Sequence, residues 1–101
     1  MANLIIISWR DVPAQVIVKR GRETAKVQLS ARFQEAVDRA AMRAGKGSSD
    51  AYLADWKRSE PLTVGDDLEA EAAAAAARIE AQWTDEALEL LIRSKGLKAE
   101  G

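Results

Sequence analysis

The sequence predicts an α+β fold: a small antiparallel sheet of about three strands, with room for a short fourth, and about four helices packed mainly on one face. Two observations carry that expectation. Residues 1–29 are rich in β-branched and alternating apolar residues punctuated by turn formers, whereas residues 30–97 repeat apolar residues every three or four positions. A chain of 101 residues divided in this way is most simply one domain, 1–101, with one modest core.

The β-rich part opens with NLIIISWRDVPAQVIVKRGR, residues 3–22. Pro13 cannot donate to a sheet ladder and pushes Val12 out of the helical region, so Asp11-Val12-Pro13-Ala14 predicts the connection of a hairpin. With Arg10 opposite Gln15, the pairs Trp9–Val16, Ile7–Val18 and Ile5–Arg20 fall on one side, nearly all apolar and expected to meet the core. Ser8–Ile17, Ile6–Lys19 and Leu4–Gly21 fall on the other. Gly21 allows a second turn, and Ala25-Lys26-Val27-Gln28-Leu29 alternates as a third strand with Ala25, Val27 and Leu29 inward. Leu4 to Ile7 is apolar on both sides, which suits a central strand, with the third strand expected on its far side. One side then needs a cover: the fourth helix wrapping round, or a second molecule.

Ser30 suits an N-cap, and Phe33, Ala36, Val37, Ala40, Ala41 and Ala44 recur at helical spacing up to Gly45, a residue suited to the left-handed stop. A short helix is expected after Ser48 or Ser49, with Tyr52, Leu53 and Trp56 inward, ending before Pro61. Leu62-Thr63-Val64 suggests a short edge strand. Asp66 and Glu69 have capping-box spacing ahead of Leu68, Ala72, Ala75, Ile79 and Trp83. Thr84 opens a last helix carrying Leu88, Leu91 and Ile92, stopped at Gly96, with Leu97 able to fold back on Ile92.

Composition narrows the chemistry. With no His and no Cys, imidazole acid–base work, Ser–His or Cys–His nucleophiles and thiolate metal sites are excluded. No catalytic motif appears, and the reading is of a protein that is not an enzyme and needs no cofactor or metal. The acids at Asp66, Asp67, Glu69 and Glu71 could in principle hold Mg²⁺, but acids opening a helix complement its dipole. Residues 44–49 lack phosphate-loop spacing. There is no apolar run long enough for a membrane span and no export signal, so a cytoplasmic location is expected.

The net charge of −1 hides a division: residues 1–47 hold nine Lys/Arg against four Asp/Glu, and residues 48–101 six against twelve. The halves either attract one another across the fold, or the basic half meets an anionic partner. Candidate contact residues are Leu4, Ile6 and Ile17 on the less apolar sheet side, Arg10, Asp11 and Gln15 at the sheet end, and Lys19, Arg20 and Arg22 in the basic turn. Arg10 beside Gln15 and Asp11 would present a fork of donors next to an acceptor, or would brace the hairpin against a helix end.

The segments WRDVPAQVIVKRGR, ARFQEAVDRAAMRAG, DAYLADWKR and VGDDLEAEAAAAAARIE resemble the small bacterial virulence-factor domain family, from about Asn3 to Ile79. That resemblance implies no catalytic residues. It implies a small accessory partner of folate- and corrinoid-dependent methyl-transfer enzymes in one-carbon metabolism. The expected function is a non-catalytic protein-interaction module docking another protein, or a second copy of itself, through the sheet. The alternative is RNA or DNA binding through Arg10, Lys19, Arg20, Arg22 and Lys26.

Overall fold

A computed structural model describes residues 1–45 and 49–97. In chain order the elements are β1 (Ala2–Trp9), β2 (Val12–Arg20), β3 (Glu23–Gln28), α1 (Ala31–Arg43), α2 (Ser49–Ala54), β4 (Trp56–Arg58), β5 (Leu62–Val64), α3 (Leu68–Gln82) and α4 (Asp85–Arg93). The fold is α+β, with five antiparallel strands and four helices among the described residues. The strand order is β3-β2-β1-β4, and β5 also pairs with β1. The doubly apolar β1 is central, as its composition predicts, but β3 lies beside β2 in a meander and not on the far side of β1.

β4 and β5 pair with successive halves of the same side of β1, Trp9 to Ile7 and then Leu4 to Ala2. Between them Ser59 keeps the ladder intact: its N–H donates to the Ile6 carbonyl at 2.9 Å and its Oγ accepts from the Ile6 N–H at 2.8 Å. Pro61, which has no N–H, stands where pairing lapses. The strand at Leu62–Val64 was expected; the one at Trp56–Arg58 falls where the sequence suggests the end of a helix.

The first hairpin corrects the expected register. Trp9 pairs with Val12, so the turn is the two residues Arg10 and Asp11, and Gln15 lies opposite Ile7, three positions from Arg10. Arg10 has φ +52, the positive first position that a two-residue II′ turn requires, and Gly21 repeats it at φ +60 in the second hairpin. Pro13 belongs to the strand. It is accommodated because the register shifts beside it, between Ile7 and Ser8, leaving Ala14 as the extra residue of a bulge.

An odd slip exchanges the faces of a strand. Val16 and Val18 point into the core as predicted, but their partners are Ile6 and Leu4, not Trp9 and Ile7. Leu4 is 4% exposed within the main core, and Ile6 is half-buried against it. Past the bulge, Trp9 and Val12 turn fully into the core as well. Ile5 and Ile17, only 8% and 9% exposed, form a buried facing pair on the opposite side of the sheet, outside that core cluster.

The helices follow their sequence pattern closely. Phe33, Ala36, Val37, Ala40 and Ala41 bury one face of α1, and Gly45 takes φ +73 past its end. Residues 46–48, including Ser48 as a helix start, lie outside the described residues. Ser30 holds the N-cap position of α1 without a side-chain capping bond; its Oγ and N–H both donate to the Glu80 carboxylate at the far end of α3. In α2, Tyr52 packs on the core, whereas Leu53 is exposed and Trp56 has passed into β4.

α3 lies across β2 and β3 with Leu68, Ala72, Ala75, Ala76 and Ile79 buried; the missing side-chain bulk lets its backbone approach the sheet. Its N-cap is Asp67, which accepts from the Ala70 N–H, so the cap expected at Asp66 lies one residue later and, with alanine at the third helical position, the expected capping box does not form. Asp66 instead meets the N-terminal amine at 2.9 Å. Thr84 caps α4 as predicted, and Leu88, Leu91 and Ile92 pack it on α1. α4 therefore does not wrap round the sheet, and Leu97 is half-exposed and not folded back.

Candidate interaction surface

The hairpin tip is wired inward. Trp9 Nε1 donates to the Tyr52 carbonyl at 2.8 Å, and its ring stacks on Tyr52, whose own ring meets Trp56 edge-on. The Arg10 N–H donates to the Asp55 carbonyl, its Nε to Asp55 Oδ2 at 3.1 Å, and a terminal guanidinium nitrogen to the Lys95 carbonyl at 2.8 Å. The same guanidinium lies 5.0 Å from the Trp9 ring centre. The Asp11 N–H donates to the Gly96 carbonyl, and the Asp11 carboxylate accepts from Lys57. The turn thus fastens the end of α2, β4 and the end of α4 to one point. Of the two roles open to Arg10, bracing is the one this geometry performs, and Gln15, opposite Ile7 and Gln28, does not join it.

The charge division has a similar resolution. Arg10, Arg20, Arg32 and Arg39 of the basic half each pair with an acid of the other half: Asp55, Asp66, Glu80 with Asp85, and Glu89 respectively. Burial raises the Glu80 carboxyl, but donation from Ser30 and Arg32 overrides it and holds the group below its ordinary value. A bond from the N-terminal amine lowers Asp66, with Arg20 contributing. The Arg32–Asp85 and Arg39–Glu89 pairs close the rim of a groove of about 270 Å³ between α1 and α4, so four of its charged lining residues have partners and Glu35 alone of them forms no ion pair among the described residues. Among the described residues no three acids converge to hold a metal ion, and no helix is long and apolar enough to cross a membrane.

What remains is the outer face of the sheet. Alternation from the observed register places Asn3, Ile5 and Ile7 of β1 there, beside Gln15, Ile17 and Lys19 of β2. Thr24, Lys26 and Gln28 of β3, Arg58 of β4 and Thr63 of β5 complete it. None of these positions is Asp, Glu or aromatic. Lys19, Lys26 and Arg58 are exposed and form no ion pair among the described residues.

The predicted contact residues therefore scatter. Leu4 is enclosed in the core, and Ile6 faces it; neither is presented to a partner. Arg10 and Asp11 are engaged at the tip, and Arg20 pairs with Glu23 and Asp66. Arg22 is exposed in the second turn. Lys19 and Gln15 do share the outer face, beside an Ile17 that is itself closely covered at 9% exposed. Ile5, Ile7 and Arg58 join them there unforeseen; the signal that would have found them is the register, which the bulge at Ala14 conceals.

Among the described residues, a five-stranded sheet backed on one side by four helices, with cations exposed on its outer face, is the class of molecule defined so far. Residues 7–92 match the family model described as Virulence factor, and the chain belongs to that family. No curated protein and no solved structure matches it.

Proposed function

We propose that the protein is a non-catalytic docking module of the cytoplasm that receives another protein on its outer sheet face. The observation that carries this reading is the helix-free outer face of the sheet, where Lys19, Lys26 and Arg58 stand exposed, with no ion pair among the described residues, around a half-buried Ile7 and the closely covered Ile5 and Ile17. The family resemblance adds a context, an accessory partner of folate- and corrinoid-dependent methyl-transfer enzymes.

The test is capture from native extract with a tagged full chain. Stoichiometric recovery of a methyl-transfer enzyme, lost on Ile7→Glu without change in thermal unfolding, supports the reading. Recovery of no stoichiometric protein, or equal recovery with the variant, overturns it. Light scattering of a concentrated sample separates a second copy of this chain from a different protein.

Nucleic-acid binding is the second reading, favoured by the exposed Lys19, Arg22 and Lys26. It ranks lower because the face offers no aromatic side chain on which a base could stack. A flat RNA or DNA titration at low salt disposes of it.

A further inference from the structure

We propose that the free edge of β3 takes up an extended segment of another protein as an added antiparallel strand, one that carries a basic residue beside an acidic one. This concerns the edge of the sheet and does not depend on the outer-face reading above. The hydrogen-bond phase exposes that edge. Arg20 faces Glu23 across the two-residue turn, and the Leu29 N–H donates to the Ala14 carbonyl at 3.1 Å, so Glu23, Ala25 and Val27 turn their backbone groups toward β2. Thr24, Lys26 and Gln28 turn theirs away, and no strand among the described residues pairs with them there. The opposite edge is blunted: β4 and β5 are three residues each and part at Pro61, whereas β3 runs six residues with neither bulge nor proline. An extended segment supplies the donors and acceptors such an edge lacks, and its alternate side chains meet the two faces in turn.

Charge on those two faces names the occupant. On the outer face Lys26 is exposed and forms no ion pair among the described residues, so an acid directly across from it is favoured. On the helix-bearing face a hollow of about 330 Å³ lies between the start of β3 and the start of α3, with Glu23, Asp66, Asp67 and Glu69 in its wall and no Lys or Arg. Four carboxylates there meet two cations, the Met1 amine and Arg20, and the roughly half-charge at the start of α3 does not cancel the remaining two. A basic side chain across from Ala25 matches that hollow and is adjacent in sequence to the acid across from Lys26. A second copy of this chain does not fit. Pairing the outward groups of two β3 strands sets even positions against even ones, so Glu23, the one acid of β3, never falls opposite Lys26.

The experiment titrates the ¹⁵N-labelled full chain with three synthetic peptides in which Val and Thr alternate. The first carries Lys-Glu at its centre, with Lys in a Val position and Glu in a Thr position. The second has the same sequence, N-methylated at Glu and at each Thr, which removes the donors that would face β3. The third carries Glu-Glu. The first is expected to shift the amides of Thr24, Lys26 and Gln28, to slow their exchange with solvent, and to saturate at about tenfold lower concentration than either of the others. Lys26→Pro deletes an N–H that no ladder bond uses, and should abolish that binding. The methylated peptide tests the same bonds on the unaltered protein. Equal saturation by the methylated or the Glu-Glu peptide, or no shift at Thr24, Lys26 and Gln28, overturns the inference. So do shifts at those amides that depend on the concentration of the chain alone, the mark of a second copy. Capture lost on Ile7→Glu with no peptide bound defeats the edge alone, whereas peptide bound with capture indifferent to Ile7→Glu defeats the outer-face reading alone.

Discussion

Gly96 lies against the indole of Trp9 so closely that a Cβ on the glycine would stand 2.7 Å from Cζ3 and 3.1 Å from Cε3. This contact explains an oddity in how α4 ends. Its last turn closes as a Schellman motif, with Gly96 N–H donating to the Leu91 carbonyl at 2.7 Å and Lys95 N–H to that of Ile92. The left-handed position usually given to glycine is held by Lys95, φ +61, and the glycine comes one residue later, where Trp9 leaves no room. Gly96→Ala must therefore push the ring and also hold φ +83. The expected cost is about 2–3 kcal/mol, read as a fall in the denaturant midpoint together with a change in Trp fluorescence.

Arg10 holds a positive φ without being glycine, and its side chain supplies the compensation. Arg10→Ala keeps the strained backbone while removing the bonds to Asp55 and the Lys95 carbonyl. It should cost about 2 kcal/mol by chemical denaturation. Arg10→Gly relaxes the turn and should lose less than the alanine variant, a reversal of the usual glycine penalty that reads out the strain directly.

Both faces of β1 and β2 should feel truncation. Leu4→Ala leaves a cavity in the main core and is expected to cost about 3 kcal/mol by chemical denaturation. Ile17→Thr, on the opposite face but only 9% exposed, trades an ethyl group for a hydroxyl and should cost about 1–2 kcal/mol by the same measurement. No loss would show that Ile17 is solvated.

Ala72 is fully buried where α3 meets the sheet. Ala72→Leu improves nothing in helicity and forces the helix off the strands, at an expected cost of about 1–3 kcal/mol in thermal or denaturant unfolding.

Glu80 ties α3 to the start of α1, and its carboxyl is lowered on folding. A lowered folded value means that the charged form is bound more favourably in the native state. Its stabilisation is complete above the ordinary value of 4.5 and is lost as pH falls through the lower folded value. Glu80→Gln should therefore be less stable than the wild type at neutral pH, with the gap narrowing as pH drops below about 4.5. A gap constant with pH would assign the effect to packing.

Local pattern alone was enough for α1 and α4, though not for the end of α2, where Trp56 enters a strand. The burial of Phe33, Val37, Leu88 and Ile92, the stop at Gly45 and the cap at Thr84 all follow from spacing within a few residues, because helical periodicity and end chemistry are properties of adjacent sequence. The inward Val16 and Val18, the alternation of β3 and the central place of β1 were legible for the same reason. The candidate surface was not. Its residues depend on which position of β1 faces which of β2, and that was decided at Arg10 by Asp55 and Lys95, forty-five and eighty-five positions away, and at Ala14 by a bulge that absorbs Pro13. Side-chain period along a strand is written in the chain itself; the pairing that turns Leu4 inward and Ile5 outward exists only once distant segments have closed on the turn.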